Sequence, residues 1–110
     1  MATLEALEQL LRKGPETPLL RLTLGLQLLK LGLPEQAVTH LERALELDPS
    51  YSAGWKALGR AWSECGRLPE ALAAYRKGLA AAQKNGDKQA EREMKVFSQR
   101  IEKALRAIGL

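Results

Sequence analysis

Reactive side chains are few in this sequence, and their spacing decides what chemistry is open to it. There is one histidine, His40, and one cysteine, Cys65. A metal site needs several His, Cys or carboxylate ligands at close spacing, and a nucleophilic triad needs a base beside its nucleophile. Neither can be built around a lone histidine. His40 falls between Ala37 and Leu41 of an expected helix, near the surface, with a structural or neutral role. Cys65 excludes an intramolecular disulfide and reads as a small buried apolar residue. The acids are spread along the chain as solvated helix faces with no couple placed for general acid/base work, and no Gly-rich phosphate loop is present. These residues predict no enzyme activity, no cofactor and no metal. Trp55 and Trp62, seven apart, invite a ligand-stacking reading, and core packing, whose energetics large aromatics dominate, is the alternative. Lys56 and Arg60, four apart on one helical face, could meet an acidic group.

Composition narrows the scaffold that must hold these residues. The 110 residues allow one domain or a short repeat array. Hydrophobic residues make up 45% and aromatics only 5%, with leucine and alanine dominant and β-branched residues few, which favours helices throughout. No run approaches the roughly 18 apolar residues of a membrane span. The opening "MATLEALEQLLRKG" mixes acids among its leucines and has no basic n-region, so a signal peptide is not expected and a cytoplasmic location is. The formal charge of +4 is unevenly placed: residues 1–83 hold ten Lys/Arg against nine Asp/Glu, and 84–110 hold seven against four.

Residues 20–28, "LRLTLGLQL", carry leucine at every second position, a pattern that taken alone argues a half-buried strand. The flanks argue otherwise. Thr17 and Pro18 form an N-cap followed by proline at the first helical position, Gly32 supplies a stop, and Pro34 starts the next element. The stretch is predicted to be a helix with leucine on nearly every side. A shift of 34 residues pairs Leu24 with Leu58, Gly25 with Gly59, Gly32 with Gly66, Ala37 with Ala71 and Leu45 with Leu79. Such a period, with two helices per unit, marks a repeat architecture. Helices are expected near 3–13, 18–31, 35–47, 52–65, 68–84 and 88–108. In the last of these, Ala90, Met94, Phe97, Ile101, Leu105 and Ile108 form one apolar stripe.

The repeated residues resemble those of the tetratricopeptide repeat. "WKALGRAW" (55–62) is similar to the W-x2-L-G-x2-Y opening, with Trp62 for the tyrosine, and Ala71 and Tyr75 match the A-x3-F element. The earlier copy fits through Leu24, Gly25, Leu28, Ala37, Leu41, Ala44 and Pro49. It departs at Arg21, where the family has an aromatic residue; the later copy departs at Gly78 and at Gln83, which replaces the closing proline and lets its second helix run on. The resemblance implies one all-α domain over 1–110, a helix-turn-helix repeat array of about six helices wound as a right-handed superhelix. Its parts would be an N-terminal half-repeat helix (3–13), repeats at 18–51 and 52–85, and a C-terminal capping helix (87–108).

By the same resemblance, the first helices of each repeat line a groove that binds a peptide or an amphipathic helix of a protein partner. Carried over by position, the groove presents Leu19, Leu22, Leu26, Leu29 and Lys30 from one copy, and Ala53, Lys56, Arg60, Ser63 and Glu64 from the other. Asparagine is missing from these positions, so a clamp for a C-terminal carboxylate is not implied. Leucines left in water would forgo about 1.5–3 kcal/mol each. The expected occupant is therefore a protein or peptide, with two other covers open: a second copy forming a homodimer, or the chain's own terminal helices. The basic residues from Lys84 to Arg106 raise nucleic acid as a rival partner. Four acids interrupt them and no stacking aromatics accompany them, so a solvated face is expected and no membrane contact.

Overall fold

The computed structural model describes residues 3–109, and these form six helices and no strand. The helices are α1 (Leu4–Lys13), α2 (Pro18–Lys30), α3 (Pro34–Leu47), α4 (Ser52–Glu64), α5 (Leu68–Asn85) and α6 (Lys88–Ala107). Local chemistry sets their ends. The Thr17 hydroxyl accepts the Leu20 N–H at 3.1 Å, and Asp87 caps α6 by accepting from Ala90 at 3.1 Å. Helices α2, α4 and α5 all stop in one way. Gly32, Gly66 and Gly86 take φ of 76°, 73° and 71°, which lets the following N–H reach back to Leu28, Trp62 and Ala82 at 2.9 Å. The alternating leucines lie inside α2, where Leu22, Leu24, Leu28 and Leu29 are buried on several sides at once.

Each helix packs on its neighbours in sequence, and α2 also touches α4 while α4 touches α6. Helices α2, α4 and α6 therefore share one surface, with α3 and α5 on the other side. Close approach within each hairpin depends on glycine. A Cβ on Gly25 would lie 2.5 Å from Leu41, and one on Gly59 would lie 2.4 Å from Tyr75. Gly78 repeats the device at the α5–α6 contact, where an added Cβ would lie 2.2 Å from the Met94 sulfur. The departure from alanine at Gly78 thus has a packing reason: Met94 is fully buried against it. Without a proline at 83, α5 runs for 18 residues against 14 in α3. The starts of α2, α4 and α6 are consequently spaced by 34 and then 36 residues.

An ionic staple holds the α1–α2 connection. The Glu16 carboxylate accepts from Arg43 Nη2 at 2.7 Å and from Arg21 Nε at 2.7 Å, joining the loop to both helices of the first hairpin. Arg21 also approaches His40 Nδ1 at 3.0 Å; since a guanidinium only donates, that nitrogen accepts and the imidazole is neutral. The two arginines, Arg43 first, lower the Glu16 pKa from 4.5 to about 2. Burial, then the Arg21 charge, pushes His40 below its usual value.

Two predictions follow from this packing. Gly25→Ala is expected to destabilise the protein by about 1–3 kcal/mol in urea denaturation through overpacking. In a Leu41→Ala background the same substitution should be neutral or stabilising, because the new methyl enters vacated space. Both titrating groups have depressed pKa values in the folded state, so both stabilise at neutral pH and lose that contribution as pH falls. Unfolding midpoints should drop below about pH 6.5 through His40, and again between pH 4.5 and 2 through Glu16. Glu16→Gln should flatten only the second decline.

Candidate functional site

The surface shared by α2, α4 and α6 contains an apolar cleft of about 340 Å³. Helix α2 contributes Leu22 and Leu26, and α4 contributes Ala53, Lys56, Ala57 and Arg60 at helical spacing. Phe97 of α6 and Tyr75 of α5 close the end, their ring centroids 5.2 Å apart at a 37° tilt. Leu22 is 7% exposed and forms floor, whereas Leu26 at 42% and Leu19 at 64% stand in solvent on the same side of α2. Helix α6 builds a wall of this cleft and does not roof it; α1 packs on α2 and leaves Leu19 and Leu26 uncovered.

The residues expected at the groove divide accordingly. Leu22, Leu26, Ala53, Lys56 and Arg60 converge on the cleft, and Leu19 lies on the same side of α2 at the helix start. Leu29 is 3% exposed and belongs to the core, so it offers a partner nothing. Lys30 is exposed away from the cleft lining, and Ser63 is half-buried beside Tyr75. The two cations are not idle. Lys56 Nζ donates to Glu93 Oε2 at 2.6 Å across the α4–α6 seam, and Arg60 Nε donates to Glu64 Oε2 at 2.7 Å. An acidic partner group would have to displace a carboxylate the chain already supplies. Sequence reasoning missed Tyr75, Phe97 and Glu93. Phe97 was visible as part of the α6 stripe, but nothing in the spacing said that this stripe reaches past α5 to the cleft.

The two tryptophans pack on the core as expected, but not wholly within it. Trp55 and Trp62 are half-buried, one side against the core and the other facing a cleft of about 470 Å³ between α3 and α5. Each ring is covered by a cation of the chain itself, Lys77 at 5.3 Å from Trp55 and Arg67 at 5.6 Å from Trp62. The Trp55 indole N–H is spent on the Pro49 carbonyl at 2.8 Å. Cys65 is also only partly buried, at the end of α4, and burial raises its thiol pKa above the usual value. Among the described residues no group of His, Cys, Asp and Glu could hold a metal ion, and no helix is long and apolar enough to cross a membrane.

A family model for the tetratricopeptide repeat matches residues 22–86. A TPR repeat-containing protein of Pseudomonas aeruginosa is 48% identical over 92% of this chain and 96% of its own length. Among solved structures, a protein of Bordetella parapertussis superimposes with a TM-score of 0.82 at 39% identity, covering 96% of this chain and 91% of that one. The TPR protein YrrB superimposes with a TM-score of 0.61 at 26% identity, covering 97% of this chain and 64% of that one.

Substituting the exposed wall should separate surface from core. Leu26→Lys is expected to leave the thermal midpoint within about 2 °C, since surface changes are usually within ±0.5 kcal/mol, whereas Leu22→Lys should lower it sharply by burying a charge.

Proposed function

The chain belongs to the tetratricopeptide-repeat family, and we propose that it binds a short amphipathic helix or peptide of a protein partner in the cleft between α2, α4 and α6. Two full repeats, 18–51 and 52–85, between single flanking helices are the division that fits this reading. The family as a whole suggests a protein-interaction module, and YrrB is described as carrying an unusual peptide-binding site. The observation that supports the site here is the pairing of solvent-exposed Leu19 and Leu26 with a ready apolar cleft whose end is an aromatic pair. A leucine or phenylalanine on the partner would fill the cleft while its flanks cover the α2 leucines. Burying apolar area contributes about 25 cal/mol per Å², so the affinity comes from covering Leu19, Leu26 and the cleft lining. Because Lys56 and Arg60 are already paired, specificity comes from apolar shape first. The rim pairs then discriminate by exchanging carboxylates.

Peptides selected from a random helical library against the full chain supply the test. Binding should shift the amide resonances of Leu26, Ala53, Lys56 and Phe97, and Leu26→Lys combined with Ala53→Glu should weaken it at least tenfold. Binders that map elsewhere, or that tolerate both substitutions, would refute this assignment. Exposed Leu19 and Leu26 also suit a second copy of the chain. Light scattering across a concentration series separates the two: a 12.1 kDa monomer leaves the cleft to a partner, and a dimer that dissociates in the double variant assigns it to self-association.

A further inference from the structure

The fold sorts the charges of α6 in a way the linear order conceals, and it does so on a surface separate from the cleft. All four acids of residues 84–110 are turned inward or used locally. Asp87 caps the helix, Glu93 takes Lys56 at 2.6 Å, Glu102 accepts from Arg76 at 3.1 Å, and Glu91 lies 3.4 Å from Gln83 and 3.7 Å from Lys88. Met94 and Ser98 mark the buried side. On the opposite arc, at 3.6 residues per turn, stand Lys88, Arg92, Lys95, Arg100, Lys103 and Arg106, all exposed, with no acid among them. Among the described residues the side chains of Arg92, Lys95, Lys103 and Arg106 make no ion pair or hydrogen bond. These four span about 21 Å at 1.5 Å per residue.

We propose that this outward face of α6 docks on double-helical nucleic acid through its phosphates. Three features favour a duplex over other polyanions. The face is a single convex helix with no cleft, so a flexible acidic peptide would have to order along it without apolar anchoring, whereas a duplex presents phosphates already fixed in a row. Val96 is the one large apolar residue on the arc, with no aromatic or long aliphatic anchor for a lipid surface. Helix α6 packs on α5 and α4 by its inner side, which leaves the basic arc open along its length as a straight row that can lie against one line of phosphates. Arginine, lysine and the exposed Gln89 and Gln99 are side chains that bond phosphates and base edges.

The experiment is anisotropy of a fluorescein-labelled 20-base-pair DNA duplex of mixed sequence titrated with the full chain. Four phosphate contacts predict a slope of log K against log[KCl] of about −3.6, hence a roughly 150-fold loss of affinity between 25 and 100 mM KCl. Removing Arg92 and Lys103 together as glutamines should make the slope shallower by about 1.8, with unchanged circular dichroism. Arg12→Gln with Lys13→Gln at the end of α1 should leave it unaltered. No binding at 25 mM KCl overturns the proposal. So does a salt slope unchanged without Arg92 and Lys103, or sedimentation with phosphatidylserine vesicles in place of duplex binding.

Discussion

Everything in this molecule depends on how closely its helices approach one another. Three glycines sit 16 residues ahead of a large side chain, Gly25 before Leu41, Gly59 before Tyr75 and Gly78 before Met94, and each lets that side chain rest on bare backbone. Dispersion contacts fall away within an ångström of separation, so this proximity is what turns leucine- and alanine-rich helices into a packed core. With so few aromatics to fill space, the chain reaches native density by removing side chains at the contacts instead of enlarging them.

That packing scheme produces the cleft. The hairpins α2–α3 and α4–α5 close tightly through their glycines, while α2, α4 and α6 meet one another less extensively along the shared surface. Alanine at 53 and 57 leaves the wall of α4 low, and Leu26 and Phe97 rise on either side of it. The same Tyr75 that fills the notch at Gly59 carries its ring to the cleft end, so core and candidate site share a side chain.

The helical architecture was legible because several local signals agree: Thr17–Pro18 as a start, glycines at 32, 66 and 86 as stops, and small residues matching at a 34-residue shift. Missing proline at 83 correctly announced a longer α5. The site was legible only along α2 and α4, where spacing within one helix is enough. Leu29 shows the limit, since it shares a stripe with Leu26 yet is buried, a difference set by the neighbouring helix and not by the sequence around it. Glu93, Phe97 and the tryptophan cleft depend on contacts between distant elements, which helical periodicity does not encode. The charge of α6 reads differently for the same reason: the helix gathers its basic residues on one outer arc and sets Glu91, Glu93 and Glu102 along the flanks of the apolar inner stripe.

The step from 34 to 36 residues between the last two inner helices has a consequence for how such an array can lengthen. Tandem duplication copies a unit together with its phase, and a copy inserted among α2–α5 inherits a partner at the right angle. The added length lies in α5, four residues or about 6 Å longer than α3, yet the 16-residue offset from a glycine to the side chain it admits is kept from Gly78 to Met94. A duplication that carried α5 and α6 together would copy a hairpin one turn longer than the others while keeping the glycine notch that closes it, so the length of a unit and the closeness of its packing can change separately.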